Sequence, residues 1–181
     1  MRLSDTLALF KMLRKYLRFA QVRPRLVLAG SARRGESANV DVDILVVVPA
    51  GAPASTLAST LASAHVGANA PFEIVGDRIS GSRHRIMLVS SAAAHLRRFP
   101  VDLFLVHAHE LPYALFHYTG SRVYNVRTRA HAKRRGWRLN QYGLFDAATG
   151  RRVRGSANVR TEREVAALIG VSYRSPDDRV K

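Results

Sequence analysis

The sequence predicts a two-lobed α/β (α+β) protein whose first lobe is built on a mixed β-sheet. Three observations carry that prediction. Five short runs of β-forming composition fall between residues 25 and 106, and helical patterns flank or separate them. From His109 the texture changes to two helical segments followed by turn-rich β segments. The length of 181 residues suits one compact domain, or a core with a smaller appended lobe.

The elements follow in order. Residues 4–19 place Leu7, Phe10, Leu13 and Leu17 at helical spacing behind a Ser4 N-cap. Residues 25–30 read as a strand ending on glycine, and 40–49 as a second strand closed by Pro49. The Ala/Ser-rich stretch from Gly51 to Pro71 repeats Thr-Leu-Ala-Ser at 56–59 and 60–63. Leu57 and Leu61 are i,i+4 neighbours, which predicts one crossover helix capped near Ser55. Residues 72–80 and 83–90 flank Gly81-Ser82 as a hairpin, and Val101–Val106 forms a further strand with Pro100 at its start.

Beyond His109, Glu110–Tyr118 and Arg122–Arg135 read as helices broken at Thr119-Gly120-Ser121. Residues 137–154 read as strands around turns, with Thr149-Gly150 as the hairpin turn. A last helix, 161–169, follows a Thr161–Glu164 capping box. The lobes are therefore 1–108 and 109–181.

Lys and Arg number 29 against 13 Asp and Glu, a formal net charge of +16 with a pI near 11.4. Such an excess favours a polyanionic partner, nucleic acid first and an anionic membrane surface second. A solubilising surface is the bland reading. The chain has no cysteine, which excludes a disulfide framework and thiolate metal sites. Its N-terminus is too interrupted by charge for a signal peptide, and no apolar run approaches the ~20 residues of a spanning helix. A soluble intracellular protein without membrane association is expected.

The chemistry starts at Val-Asp-Val-Asp-Ile-Leu-Val-Val-Val, residues 40–48. On a strand Asp41 and Asp43 share a side, roughly 6.5–7 Å apart along the chain. Carboxylates at that spacing repel unless a cation lies between them, and hard divalent ions such as Mg²⁺ take such oxygen ligands. Alone the pair reads first as acids at an exposed strand end and only second as a metal site. Gly30-Ser31 ends the preceding strand, and Arg33 and Arg34 follow it, a backbone, hydroxyl and guanidinium set suited to phosphate. Asp102 stands in another apolar strand, Val-Asp-Leu-Phe-Leu-Val. Three carboxylates beside a phosphate cradle are the donor set of two-metal phosphoryl or nucleotidyl transfer.

This pattern of Gly-Ser, Asp-x-Asp and a later Asp resembles the nucleotidyltransferase superfamily. The second lobe narrows the resemblance to the family X DNA polymerases, relatives of polymerase beta. It carries His117-Tyr118-Thr119-Gly120-Ser121, then Arg129-Ala130-His131, Asn140-Gln141-Tyr142 and a Tyr173-Arg174-x-Pro176 ending. Gly-Ser-x-Arg-Arg-Gly at 30–35 is the family's phosphate turn. Pro112-Tyr113-Ala114 and Leu139-Asn140-Gln141-Tyr142-Gly143-Leu144-Phe145 resemble the compact viral members. The resemblance spans about residues 26–178.

It implies a nucleotidyltransferase palm over 1–108 and a small fingers-like, nucleotide-selecting lobe over 109–181. Asp41 and Asp43 would bind two Mg²⁺ ions, with Mn²⁺ as a substitute, and Asp102 would complete the catalytic ion's shell. Gly30, Ser31 and Arg34 would hold the triphosphate. His117, Tyr118, Gly120 and Asn125 would form the sugar and base pocket. Arg127, Arg129, Lys133, Arg134, Arg135 and Arg138 would contact DNA, with Arg129 near the nascent pair and Arg151, Arg152 and Arg154 extending the basic face. His131 is not read as catalytic. Val40 replaces the glycine that cellular relatives place before the first aspartate, and His117 replaces their usual tyrosine.

Because the first aspartate comes by residue 41, no amino-terminal lyase domain and no full DNA-binding thumb are expected. The expected activity is template-directed addition of deoxynucleotides to a primer 3′-hydroxyl in short gaps, as in base-excision repair. The expected partners are gapped or primed DNA, dNTPs and, functionally, a DNA ligase, with the chain a monomer. A viral member would work in the viral factory, the host cytoplasm or the virion. The rivals are a nucleotidyltransferase acting on RNA or a small molecule, and a basic packaging protein with a decayed site.

Overall fold

The computed structural model of the protein describes residues 2–19, 24–48, 72–80, 83–90 and 100–179. The first half comprises α1 (Leu3–Phe19), β1 (Arg25–Leu28), the single turn α2 (Gly30–Arg33), β2 (Val42–Val48), β3 (Phe72–Ser80), β4 (Arg83–Ser90) and β5 (Pro100–His107). The five strands form one mixed sheet in the order β1-β2-β5-β4-β3. Among the described strands only the β2–β5 pairing is parallel. β2 is buried from end to end except at Asp43, as its valine-rich run requires of a strand covered on both faces. β3 and β4 pair from Ser80↔Arg83 outward, with a bulge at Ile74/Gly76. The crossover helix expected over 51–71, Pro49 and the Gly81-Ser82 turn lie outside the described residues.

The second half comprises α3 (Leu111–Thr119), α4 (Arg122–Arg134), β6 (Trp137–Asn140), β7 (Gly143–Asp146) and α5 (Glu162–Ile169), with 3₁₀ turns at Ser156–Asn158 and Asp177–Arg179. Pro112 sits in the first turn of α3, where its missing N–H costs nothing. Ser121 caps α4 by accepting from the Tyr124 N–H, and Thr161 caps α5 by accepting from the Glu164 N–H. Glu164 reaches back to the Arg160 N–H at 2.6 Å, one residue earlier than a standard capping box.

Among the described residues, two apolar clusters organise these layers. One joins Tyr113, Phe116, Tyr124, Leu139, Leu144, Val165 and Ile169 within the second half. The other joins Ala29, Leu45, Val47 and Val106 of the sheet region to Leu111 and Ala114. α3 therefore belongs to both, which fixes the second half against the sheet. The buried Tyr113 hydroxyl donates to the Ser156 carbonyl at 2.7 Å, and burial raises its pKa.

The structure corrects three details of the sequence reading. α1 buries Thr6, Leu9 and Leu13, while Leu7 is 41% exposed. Its first turn begins at Leu3, and the Asp5 and Thr6 N–H groups donate to the Arg2 carbonyl, so Ser4 lies inside the turn and does not cap it. β1 ends at Leu28 and β2 starts at Val42, which leaves Asp41 just before the strand. The β6–β7 turn is Gln141-Tyr142. Thr149-Gly150 closes the next turn, as the sequence reading has it, between the antiparallel bridge partners Phe145 and Arg152, and there the Asp146 carboxylate accepts from the Thr149 N–H and hydroxyl, both at 2.7 Å. Those bonds, the N–H first, lower the Asp146 pKa.

Candidate active site

Parallel pairing of β2 with β5 puts Asp43 directly beside Asp102. Asp41, two residues earlier, completes a cluster in which one oxygen from each carboxylate lies within 4.8 Å of the others. Asp102 is buried, and Asp41 and Asp43 are partly so. Three carboxylates this close are mutually repulsive in a protein interior unless positive charge is shared among them. The donor set, all hard anionic oxygen and open on one side to a cleft, fits a divalent cation.

The turn between β1 and β2 is fitted around these acids. The Ala29 N–H donates to the Asp43 carbonyl at 2.8 Å. Gly30 has φ +62°, and a Cβ built there would overlap the Asp43 Oδ2. Glycine is thus required by the carboxylate as much as by the backbone. Gly30→Ala should displace the Asp43 carboxylate and weaken the binding of a divalent cation at the cluster, which a Mn²⁺ titration measures; an unchanged affinity would refute the steric account.

Ser31 and Arg34 are held from behind. The Ser31 hydroxyl donates to Asn39 Oδ1 at 2.6 Å. The buried Asn39 amide donates in turn to Thr6 Oγ1 of α1 and to the Glu36 carbonyl, both at 3.3 Å. Arg34 donates to Glu36 through Nε at 2.8 Å and Nη2 at 2.6 Å, and to the Thr119 carbonyl through Nη1. Arg33 donates to the Thr119 hydroxyl and pairs with Glu162 at 2.6 Å. Two consecutive arginines of the sheet lobe thus grip one residue at the end of α3.

A cleft of about 610 Å³ opens between these groups and the α3–α4 corner. One wall carries Gly30, Ser31, Arg34, Asp41 and Asp43; the other carries His117, Tyr118, Gly120, Asn125 and Arg129. Tyr118 stacks on Phe104 with ring centroids 4.1 Å apart, and His117 meets it edge-on at 4.8 Å. The Asn125 amide donates to the His117 carbonyl at 2.7 Å, and Arg129 contacts His117 Nδ1. Val40, 82% exposed, also lines the cleft.

The structure therefore brings together the residues that the sequence reading assigned to metal or nucleotide, with one correction: Arg33, read there as part of the phosphate set, is outside the cleft lining and is engaged by Thr119 and Glu162. Of the six cations assigned to DNA, Arg129 alone borders the cleft. Arg127, Lys133, Arg134, Arg135 and Arg138 are exposed along α4 and β6. Arg135 lies over Trp137 at 5.6 Å and Arg138 over Phe145 at 5.8 Å, so these two also cover aromatic surface. The sequence reading missed Glu36, Asn39, Thr119, Glu162 and Arg179. A carboxylate two residues after the arginine pair was the one local signal, for Glu36. Among the described residues no helix is long and apolar enough to cross a membrane.

Comparison with known proteins agrees with this geometry. Residues 114–180 match the family model described as DNA polymerase beta thumb, which corrects the expectation of a chain without a full thumb: the lobe read as fingers-like is the one that matches. The chain is 32% identical over 157 residues to the repair DNA polymerase X of African swine fever virus (isolate Tick/Malawi/Lil 20-1/1983), covering 86% of this chain and 81% of that protein. It is 30% identical over 176 residues to DNA polymerase lambda of Rattus norvegicus, covering 84% of this chain and 28% of that one. A crystal structure of Leishmania infantum polymerase beta, a ternary P/T complex, superposes with a TM-score of 0.80 at 21% identity, covering all of this chain and 77% of the other. With a metal-competent carboxylate triad facing a nucleotide-sized cleft and a viral relative matched over most of both lengths, the chain belongs to the family X DNA polymerases.

Proposed function

We propose that this protein adds deoxynucleotides to a primer 3′-hydroxyl under the direction of a template, filling short gaps in DNA during base-excision-type repair. The observation that carries the reading is a cleft in which the carboxylate cluster faces the His117–Tyr118–Gly120–Asn125 corner. Asp41 and Asp43 would hold two Mg²⁺ ions and Asp102 one of them. Bound there, such ions lower the pKa of the attacking hydroxyl and neutralise charge developing on the triphosphate.

The chain's own residues supply the rest. Arg34 and Ser31 orient the triphosphate. Tyr118, braced on Phe104, presents a ring edge to the incoming sugar, where it excludes a 2′-hydroxyl. Gly120 lets the backbone approach the nucleotide closely. Asn125, tied to the His117 carbonyl, addresses the base, and Arg129 the template strand beside it. The exposed cations of α4 and β6 bind phosphates without sequence preference, so affinity falls steeply with salt and processivity is low. In this reading the catalytic lobe is 1–108 and the nucleotide-selecting lobe 109–181. The protein acts as a monomer and leaves a nick for a ligase. It works wherever its DNA is kept, which for a virus is the factory, host cytoplasm or virion.

Single-nucleotide extension of a gapped duplex tests this. Each template base should select its complementary dNTP, and Mn²⁺ should replace Mg²⁺. Extension indifferent to the template would sink the reading in favour of an RNA- or small-molecule-directed nucleotidyltransferase, which shares the first lobe.

A further inference from the structure

We propose that Glu36 is a positioning residue for nucleotide binding: it fixes the Arg34 guanidinium before the triphosphate arrives. The proposal rests on the polymerase reading above and assigns a role to a side chain that also lines the cleft but that the metal and nucleotide assignments leave out.

A guanidinium has five N–H groups. Three of them in Arg34 are engaged, two by one Glu36 oxygen (Oε1) and one by the Thr119 carbonyl. Two remain for an anion, on a side chain that lines the cleft. The clamp is closed from a third side at Gly120, where a Cβ would stand 2.9 Å from Arg34 Nη1. Thr119 itself is fully buried and gripped by Arg33, so it is a rigid acceptor. The Arg34 and Glu36 side chains are only 13% and 30% exposed.

An arginine left to wander would have to lose its rotamer freedom when phosphate binds, and affinity would fall accordingly. Held by Glu36, it has lost that freedom on folding. Like-charge repulsion between Glu36 and the triphosphate opposes this gain. The carboxylate already shares its charge with Arg34 through two short hydrogen bonds, so positioning outweighs repulsion. Glu36 therefore acts on binding and not on the chemical step.

The test uses the full-length protein on gapped DNA, reading the KM for a correct dNTP, kcat, and the equilibrium Kd for the same dNTP on a dideoxy-terminated primer. Glu36→Ala should raise KM and Kd about tenfold, the loss of one well-placed charged contact, with kcat within about twofold. Glu36→Gln keeps an oxygen that can accept from both Arg34 nitrogens and should hold Kd within about threefold of the parent. In an Arg34→Ala background, Glu36→Ala should change Kd no further, since its effect passes through that guanidinium. The proposal falls if Glu36→Ala leaves Kd unchanged, tightens it, or lowers kcat alone. It falls equally if Glu36→Gln is as weak as Glu36→Ala, or if Glu36→Ala still weakens binding without Arg34. A parent protein that inserts no nucleotide would overturn the polymerase reading instead.

Discussion

Asp43→Asn is expected to abolish deoxynucleotide incorporation, by about 10³-fold or more, while DNA binding survives or tightens. Removing one preorganised electrostatic element from a transition state registers on that scale. Asparagine matches the shape of aspartate, so β2 and its pairing with β5 should persist. What is lost is one charge from three carboxylates whose oxygens lie within 4.8 Å of one another. Two further readouts separate this from misfolding. The charge removed lies in a site for a polyanion, so gel-shift affinity for gapped DNA should hold or rise. Relief of carboxylate repulsion should also raise the melting temperature in chelator, and added Mg²⁺ should stabilise the parent more than the variant. Single-turnover insertion within tenfold of the parent would remove Asp43 from the catalytic set. If Asp43→Asn left every measurable activity unchanged, the protein would be a basic packaging protein with a decayed site.

The carboxylate cluster was legible because each member carries a local signature. A charged residue inside a run such as Val-Asp-Ile-Leu-Val-Val-Val conflicts with burial, and the conflict itself marks Asp43 and Asp102 as functional candidates. Parallel register then aligns them, which no local pattern states but the strand pattern permits. The α1 face was misread for the opposite reason. Leu7 and Leu9 are both leucine, Leu13 serves either stripe, and only packing decides that Thr6, Leu9 and Leu13 face inward. Asn39 and Thr6, which brace Ser31, were invisible because a buried polar pair 33 residues apart has no sequence period. Arg179 shows the limit most sharply. In a chain with 29 cations a basic tail reads as solvated charge, yet this guanidinium is fully buried. Its partner Glu162 reads as an ordinary acid in the first turn of α5.

Glu162→Ala should therefore be the most destabilising single change in the second lobe. Glu162 lies between two arginines, pairing with Arg33 Nη2 at 2.6 Å and Arg179 Nη1 at 2.9 Å, and is 6% exposed. Arg179 sits 4.7 Å over the Tyr124 ring, 5.3 Å over Phe116 and 5.5 Å over Tyr173. Its Nε donates to the Arg174 carbonyl, but its Nη2 has no hydrogen-bond partner. Deleting the carboxylate strands this cation in an aromatic cage. Breaking a buried pair that way costs about 3–5 kcal/mol. At about 2–4 °C per kcal/mol for a chain of this size, melting should fall on the order of 10 °C. The loss belongs to the stranded charge and not to the volume of Glu162, so adding Arg179→Met should return part of the stability. A double variant more stable than Glu162→Ala alone, in denaturant or thermal unfolding, is the expected result. Simple additivity would show that Arg179 is stabilised by its rings, independently of Glu162. The same carboxylate anchors Arg33, which grips the Thr119 hydroxyl beside the cleft. Glu162→Ala should accordingly weaken dNTP binding as well, and Arg179→Met alone, which leaves the Arg33–Glu162 pair intact, should weaken it less.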